Sequence, residues 1–226
     1  LPLNYKNLLI RATPGLHEKI LRIISENCSK GTVLDWGAGQ GALSQRLVDE
    51  GYKVTAVDMS SEFAAEGVAY HRIDFHDDLA VKKFIEVHSG SFDVVIGIEV
   101  IEHVENPWSY VRQLRDLVRA GGHIIVSTPN PSSWHSRLKF LLDGTYDEFN
   151  ECAQEGHINP ITPWEMRLIM TRIGLQEISI SSAGEIYQGR RKSSHFFIEL
   201  ISKLIRIFQS GYLDGYCYVA ISRKAD

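Results

Sequence analysis

The stretch Val33-Leu34-Asp35-Trp36-Gly37-Ala38-Gly39-Gln40-Gly41 constrains the fold of this chain more than any other segment. Residues 32–36 form a short apolar run of the kind buried in a parallel sheet, and residues 41–50 read as a helix stopped by Gly51. The glycines between them let the backbone turn sharply and lie close to a ligand. Free amides at the start of the following helix suit an anionic group. A lone GxGxxG pattern is weak, but here the spacing is Asp-x-Gly-x-Gly-x-Gly, with an acid inside the turn. A second acid, Asp58, closes the next apolar run 17 residues after Gly41. A carboxylate there can accept both hydroxyls of a ribose. On their own these features also fit a nicotinamide-dependent dehydrogenase.

The rest of the chain continues the alternation. Strands are expected at 53–58, 69–73, 92–98, 123–127, 176–182 and 216–222. Helices are expected from Pro14 (Leu16, Ile20, Ile23 and Ile24 on one face), over a short segment at 60–67, and at 77–88, 107–119 and 162–173. Thr162, Pro163 and Glu165 form a capping signal for the last of these. Residues 1–13 are expected to form a helix or cap over the core. Strands alternating with helices imply right-handed crossovers. The expected fold class is therefore α/β, a doubly wound, seven-stranded, mostly parallel Rossmann-like sheet. A single domain over 1–226 is expected, with insertions at 131–160, an irregular lid or acceptor region, and at 184–215.

Composition narrows the classes. With 226 residues, 44% hydrophobic and 23% charged, the chain is long enough to bury a sizeable core. A net charge of −4 disfavours long-duplex binding, which leans on a basic surplus. Cys28, Cys152 and Cys217 are odd in number and far apart, so reduced thiols and a cytoplasmic setting are expected rather than a disulfide framework or a thiolate zinc site. No run of about 18 apolar residues predicts a spanning helix. The first residue is Leu1, so the natural chain is expected to start upstream; no secretory signal is read in this sequence.

Residues 33–130 resemble the class I S-adenosylmethionine-dependent methyltransferases, in the subgroup of ubiquinone-biosynthesis O-methyltransferases and small-molecule and glycan methyltransferases. The resemblance is carried, in family order, by VLDWGAGQG (33–41), AVDMS (56–60), RIDF (72–75), FDVVIGIEVIEHVENP (92–107) and the glycine pair before HIIVSTPN (123–130). It implies S-adenosyl-L-methionine as cofactor. It implies that Gly37, Ala38 and Gly39 run along the methionine part and that Asp35 receives its ammonium. Asp58 would hold the ribose hydroxyls, with Met59 against the adenine. Asp74 would accept from the adenine amine, with Phe75 nearby. Ile98 and Glu99 would flank the methionine end.

Glu99, Glu102 and His103 stand at i, i+3 and i+4, so one turn of helix after the strand would put them on one side, at the carboxyl end of the sheet where open α/β sheets bind ligands. His157 follows beyond the first insertion. Methyl transfer to an oxygen needs alignment and removal of a proton, and an imidazole is an apt base. A metal that lowers the pKa of the hydroxyl is another solution. The Glu-x-x-Glu-His string with a later histidine is similar to the ubiquinone-type O-methyltransferases and to the small-RNA 2′-O-methyltransferases. In the latter these four ligands hold a divalent metal that grips a vicinal diol. Two carboxylates and two imidazoles suit Mn²⁺, Fe²⁺ or Zn²⁺ better than Mg²⁺. Two plainer readings stand beside these. Glu-His after this strand occurs without metal, and His157 can simply precede a capped helix.

Trp134, His135, Phe140, Tyr146, Phe149 and Trp164 crowd the first insertion, as a wall for an apolar or sugar-ring acceptor or as a local core. In the second, Phe196, Phe197, Leu200, Ile201, Leu204, Ile205 and Phe208 recur at helical spacing. Arg190, Arg191, Lys192, Lys203 and Arg206 face the single acid Glu199. Residues 190–208 therefore predict peripheral contact with an anionic membrane, packing on the domain, or a homodimer interface. The expected function is O-methylation of a small hydroxylated acceptor: a glycan precursor, a secondary metabolite or a lipid-linked phenol. An RNA 2′-O-methyltransferase and a non-catalytic cofactor-binding scaffold subunit are the alternatives.

Overall fold

The computed structural model describes residues 3–149, 156–184 and 214–226. Its main sheet has seven strands, and their sequence explains their place. β3 (Thr32–Trp36), β6 (Phe92–Ile98) and β7 (Val118–Pro129), each with a buried apolar centre, occupy the middle. β4 (Lys53–Asp58) and β5 (Ala69–Arg72) lie to one side; β9 (Cys217–Lys224) and β8 (Leu175–Ala183) lie to the other, in the order β5-β4-β3-β6-β7-β9-β8. Pairings from β5 to β7 are parallel, while β9 runs antiparallel to both β7 and β8.

Side chains alternate between two buried faces, as the period of two requires. Leu34, Val95, Ile124 and Val126 point into one core layer, closed by α3 (Asp78–His88), α4 (Pro107–Leu117) and α6 (Pro163–Arg172). Val33, Val94, Ile96 and Ile125 point into the other, closed by α1 (Leu16–Asn27) and α2 (Ala42–Asp49). The helix starts follow the capping rules. Asp77 accepts from Leu79 and Ala80, Asn106 from Ser109, and Thr162 from Glu165, with Pro107 and Pro163 in the first turns.

Four expectations are corrected. Residues 3–10 are no helix but an antiparallel pair, β1 (Leu3–Tyr5) and β2 (Leu8–Ile10), joined by Lys6 and Asn7 at φ 46° and 67°. Both turn residues are left-handed, as a two-residue hairpin requires. The pair is fastened to α2 by Tyr5 and Lys6 on Asp49. Residues 60–67 form turns, not a short helix, because the segment bonds elsewhere: Ala64 N donates to Gln40 O, and Phe63 stacks on Tyr70 at 4.1 Å. β7 begins at Val118, before the glycine pair. Gly121 (φ 68°) and Gly122, where a Cβ would strike the Asp93 carbonyl, fit an irregular stretch of strand rather than a helix stop. The 131–160 insertion is not wholly irregular, since α5 (Trp134–Asp143) is capped by Ser133. The expected helix at 190–208 lies outside the described residues.

Gly97 in β6 marks a tight seam. A Cβ there would collide with the hydroxyl of Tyr110, a buried residue of α4 whose hydroxyl donates to the Trp36 carbonyl at 3.3 Å. Gly97→Ala is expected to destabilise by about 1–3 kcal/mol, the usual cost of overpacking. In denaturant titrations the Gly97→Ala/Tyr110→Phe double variant should lose less than the sum of the two single losses, because removing the hydroxyl relieves the clash.

Candidate active site

The chain leaves β3 into the glycine turn, and the turn is held by its neighbour strand. Gly37 N and Ala38 N both donate to the Val57 carbonyl, at 2.8 and 3.2 Å. Gly37 sits at φ 101°, and a Cβ there would strike the Val100 side chain, so both backbone and packing demand glycine. Gly39 N donates to Asp58 Oδ2 at 2.8 Å, and Ser60 N donates to Asp58 Oδ1 at 2.8 Å. Asp58 therefore fastens the ends of both loops while its remaining lone pairs face outward.

Asp35 is 2% exposed and accepts from Ser44 Oγ at 2.6 Å. Burial pushes its carboxyl up to about 7; the Ser44 hydrogen bond works against the rise, and the nearby Asp58 charge adds to it. Sequence reasoning did not single out Ser44, although a serine two residues into α2 was the available signal.

A cavity of about 1190 Å³ runs along the carboxyl ends of the strands. Asp35, Gly37, Ala38, Gly39, Asp58 and Met59 line one part of it, with Phe75 and Ile98. Met59 is exposed and Phe75 stacks on Trp36 at 5.0 Å. Asp74 is not among the lining residues. It accepts from the backbone and ring of His76, at 2.9 and 3.0 Å, and these bonds hold its carboxyl below the usual range. Among the residues expected at the cofactor, Asp74 alone stands outside the cavity wall.

The other part is lined by Glu99, Glu102, His103 and His157, and by Glu148 and Tyr216, which sequence reasoning missed. The segment after β6 is a single turn, closed by His103 N on Val100 O at 3.0 Å. Glu99 takes a left-handed φ of 57°, with its amide on Ser127 and Ser127 Oγ donating to its carboxylate at 3.0 Å. Its side chain meets the cavity but is enclosed by protein. Burial raises its pKa to about 7, against the Ser127 bond, and the Glu148 charge adds to the rise.

Glu102 is fully buried, and neither carboxylate oxygen has a hydrogen-bond partner. Burial first, and then the Glu99 charge, hold its pKa well above the usual carboxylate range. Its carbonyl accepts from Ile158 N and Asn159 N at 2.9 and 3.1 Å, which brings the far end of the insertion against the turn. The rings of His103 and His157 consequently lie 4.7 Å apart. Ligand atoms of Glu102, His103 and His157 all fall within 4.8 Å of one another; Glu99 is not part of that trio. His157 Nδ1 lies 3.0 Å from the Glu148 carbonyl, so Nδ1 carries the proton and Nε2 keeps its lone pair. Glu148 is presented by a loop pinned to α5 through the His135–Asp147 pair at 2.9 Å, the Asp147 N to Ser136 Oγ bond at 3.0 Å, and Phe140 stacked on Tyr146 at 4.7 Å. The aromatics expected as an acceptor wall are not among the residues lining the cavity; they pack the loop that presents Glu148, with Trp134 buried and Trp164 exposed.

Comparison with known proteins agrees with this architecture. A family model described as a methyltransferase domain matches residues 10–180. A ubiquinone biosynthesis O-methyltransferase of Vibrio parahaemolyticus is 32% identical over 163 residues, 66% of this chain and 65% of that protein. One from Aromatoleum aromaticum is 39% identical over 160 residues, 64% of this chain and 63% of that protein. The chain thus spans less than two thirds of the length of these relatives. The crystal structure of an S-adenosylmethionine-dependent methyltransferase from Archaeoglobus fulgidus shares the fold, with TM-score 0.61 and 19% identity over 92% of this chain and 93% of that one.

The buried Asp35 makes stability depend on pH. Its folded pKa, about 7, lies above the ordinary carboxyl value of 3.8, so its contribution is fully present below about pH 4 and lost as pH rises through 7. In urea titrations without ligand, Asp35→Asn should flatten the fall in stability between pH 5 and 7 relative to the unaltered chain. Parallel pH profiles for the two proteins would contradict the raised pKa.

Proposed function

Because this chain belongs to the class I S-adenosylmethionine-dependent methyltransferases, we propose that it methylates an oxygen of a small hydroxylated acceptor, such as a glycan precursor, a secondary metabolite or a lipid-linked phenol. The observation that carries the reading is one continuous cavity joining the glycine turn and Asp58 to the facing pair His103 and His157.

The cofactor supplies a methyl group already activated on a sulfonium. The chain's own residues have three tasks. Asp58 takes the ribose hydroxyls, Met59 and Phe75 flank the adenine, and Asp35 takes the ammonium, whose charge favours the ionised carboxylate. Asp74 reaches the adenine amine only if its side chain leaves His76. Gly37, Ala38, Gly39 and Ile98 shape the path of the methionine part. Fixing donor and acceptor in line supplies about 7–11 kcal/mol of the barrier in well-oriented systems. His103 accepts the acceptor's proton, with Glu99 and His157 orienting the hydroxyl.

The same residues fit a divalent ion. Glu102 is a buried carboxylate with no hydrogen-bond partner, converging with two imidazoles, and His157 Nε2 is free to donate its lone pair. Glu102, His103 and His157 would hold it, with Glu99 as the fourth group within reach of a small shift. One carboxylate and two imidazoles suit Zn²⁺, Fe²⁺ or Mn²⁺. Such an ion supplies Lewis acidity to the acceptor hydroxyl. The acidic lining, Glu99, Glu102 and Glu148, supports a neutral hydroxylated acceptor over RNA.

Residues 190–208 fall outside the described residues, and their basic, apolar composition supports peripheral contact with an anionic membrane. Anionic vesicles are expected to recruit the protein at low salt, and Lys203→Glu/Arg206→Glu to abolish recruitment. A dimer in solution with no vesicle binding at any ionic strength would favour a homodimer interface instead.

Transfer of labelled methyl to a panel of phenols, catechols and sugars, with the product bond identified by mass spectrometry, tests the function. His103→Ala should slow turnover by about 10²–10⁴ and leave cofactor affinity nearly unchanged. EDTA should abolish activity, and a divalent ion restore it, if the metal is used. Full activity of His103→Ala in the presence of EDTA would remove both roles.

A further inference from the structure

One carboxylate at the acceptor end of the cavity has no task in the reaction. Glu148 lines the cavity, and its main chain takes a left-handed φ of 65°. That conformation is costly for a glutamate and persists only where the surrounding contacts enforce it. Its side chain stands between two other lining groups. The Tyr216 hydroxyl donates to the Glu148 carboxylate, and Glu148 lies close enough to Glu99 for its charge to act there. Burial first, and the bond to Glu148 second, raise the Tyr216 pKa, so the phenol keeps its proton and remains the donor.

The described residues lining the cavity include five carboxylates, Asp35, Asp58, Glu99, Glu102 and Glu148, and one arginine, Arg11. Asp35 and Asp58 belong to the cofactor, and Glu102 with Glu99 would neutralise a divalent ion. Glu148 has no counter-charge assigned to it, since the Tyr216 hydroxyl satisfies a lone pair without supplying a positive charge. Glu148 is half-buried, so its charge is screened less than one on the open surface. An independent observation points the same way. Glu102 meets the same cavity fully buried, with both carboxylate oxygens unpartnered, and a negative group brought beside it would find no donor there.

We propose that Glu148, held by Tyr216, sets the charge of the acceptor: it excludes molecules that carry a carboxylate or phosphate beside the hydroxyl to be methylated. The inference rests on the methyltransferase reading above and narrows its acceptor class. Uncharged phenols and sugars enter; benzoates, uronates and sugar phosphates do not. An anion seated against Glu148 gives up hydration and meets a like charge, and such a juxtaposition is how recognition sites reject a wrong partner. Glu148 is thus a specificity residue. It acts on which acceptor enters, and no part of the proton transfer falls to it.

The test pairs acceptors that differ by one charge: catechol with 3,4-dihydroxybenzoate, and glucose with glucuronate. kcat/KM for transfer of labelled methyl is measured for each, and the readout is the ratio within a pair. The unaltered chain should favour the uncharged member by about 10-fold or more, as for like charges brought together at a partly desolvated site. Glu148→Gln keeps the shape and the acceptor for the Tyr216 hydroxyl while removing the charge, and should shrink that ratio by about 10-fold. Tyr216→Phe removes the hydroxyl while keeping the charge, and the preference for the uncharged member should stand. Calorimetric binding of S-adenosylhomocysteine shows that each variant is folded. A ratio that Glu148→Gln leaves unmoved, a ratio that both variants move equally, or a preference of the unaltered chain for the anionic members overturns the assignment. If S-adenosylmethionine binds and none of the four acceptors is methylated, the reading of a small hydroxylated acceptor falls instead, and the assignment with it.

Discussion

The carboxylate of Asp58 ties together the parts on which the site depends. It accepts one amide from the glycine turn after β3 and one from the loop after β4, each at 2.8 Å. Hydrogen bonds from backbone amides to an ionised acceptor are the stronger kind. They hold open a turn whose glycines cannot rely on side-chain packing. The Val57 carbonyl, receiving two amides of the same turn, completes the clamp. The rest of the cavity is arranged around this fixed edge, because Gly37 packs on Val100 and Val100 begins the turn that carries Glu102 and His103. The glycine turn and the turn carrying Glu102 and His103 are therefore linked by a side-chain contact as well as by the pairing of β3 with β6.

Electrostatically, the site is built against its own interest. Asp35, Glu99 and Glu102 are enclosed carboxyls whose pKa values are all raised by burial. Ser44 partly relieves the first and Ser127 the second. Burying a carboxyl without an adequate partner destabilises the fold. Cationic ligands reverse the balance, since an ammonium beside Asp35, or an ion beside Glu102, restores the lost solvation. Residues that weaken the empty protein are the ones that would bind its cationic partners, which is the expected location of strain in a functional chain.

How much of this was legible in the sequence depends on the range of the interaction. Strands with continuous apolar runs, such as 32–36 and 92–98, and helices with cap signals, such as Thr162-Pro163, were readable because the information is local. The seven-stranded sheet followed from their alternation. Residues 3–10 were misread because a hairpin of three-residue strands leaves no periodicity to count, and its one signal was Asn7 in the turn. Residues 60–67 were misread because their bonding partners, Gln40 and Tyr70, lie elsewhere in the chain. In the site, Glu102 and His103 were visible from spacing and His157 from the resemblance. Glu148 was invisible. It contributes a carbonyl, which no sequence pattern marks.

The acceptor end differs from the cofactor end in how it is supported, and this bears on what can vary. The glycine turn hangs from two sheet strands. His157 is hydrogen-bonded through main-chain groups, Glu148 O at its ring and Glu102 O at the two residues after it, and the Phe149 and His103 rings pack against it. Because the hydrogen bonds are to the backbone, side chains along 131–148 can change without removing them. Glu148 is the one residue of 131–149 that lines the cavity, so the aromatics before it act on the cavity through the loop they support. The cofactor motifs are dense and diagnostic in this sequence, whereas the residues that would name the acceptor follow no pattern.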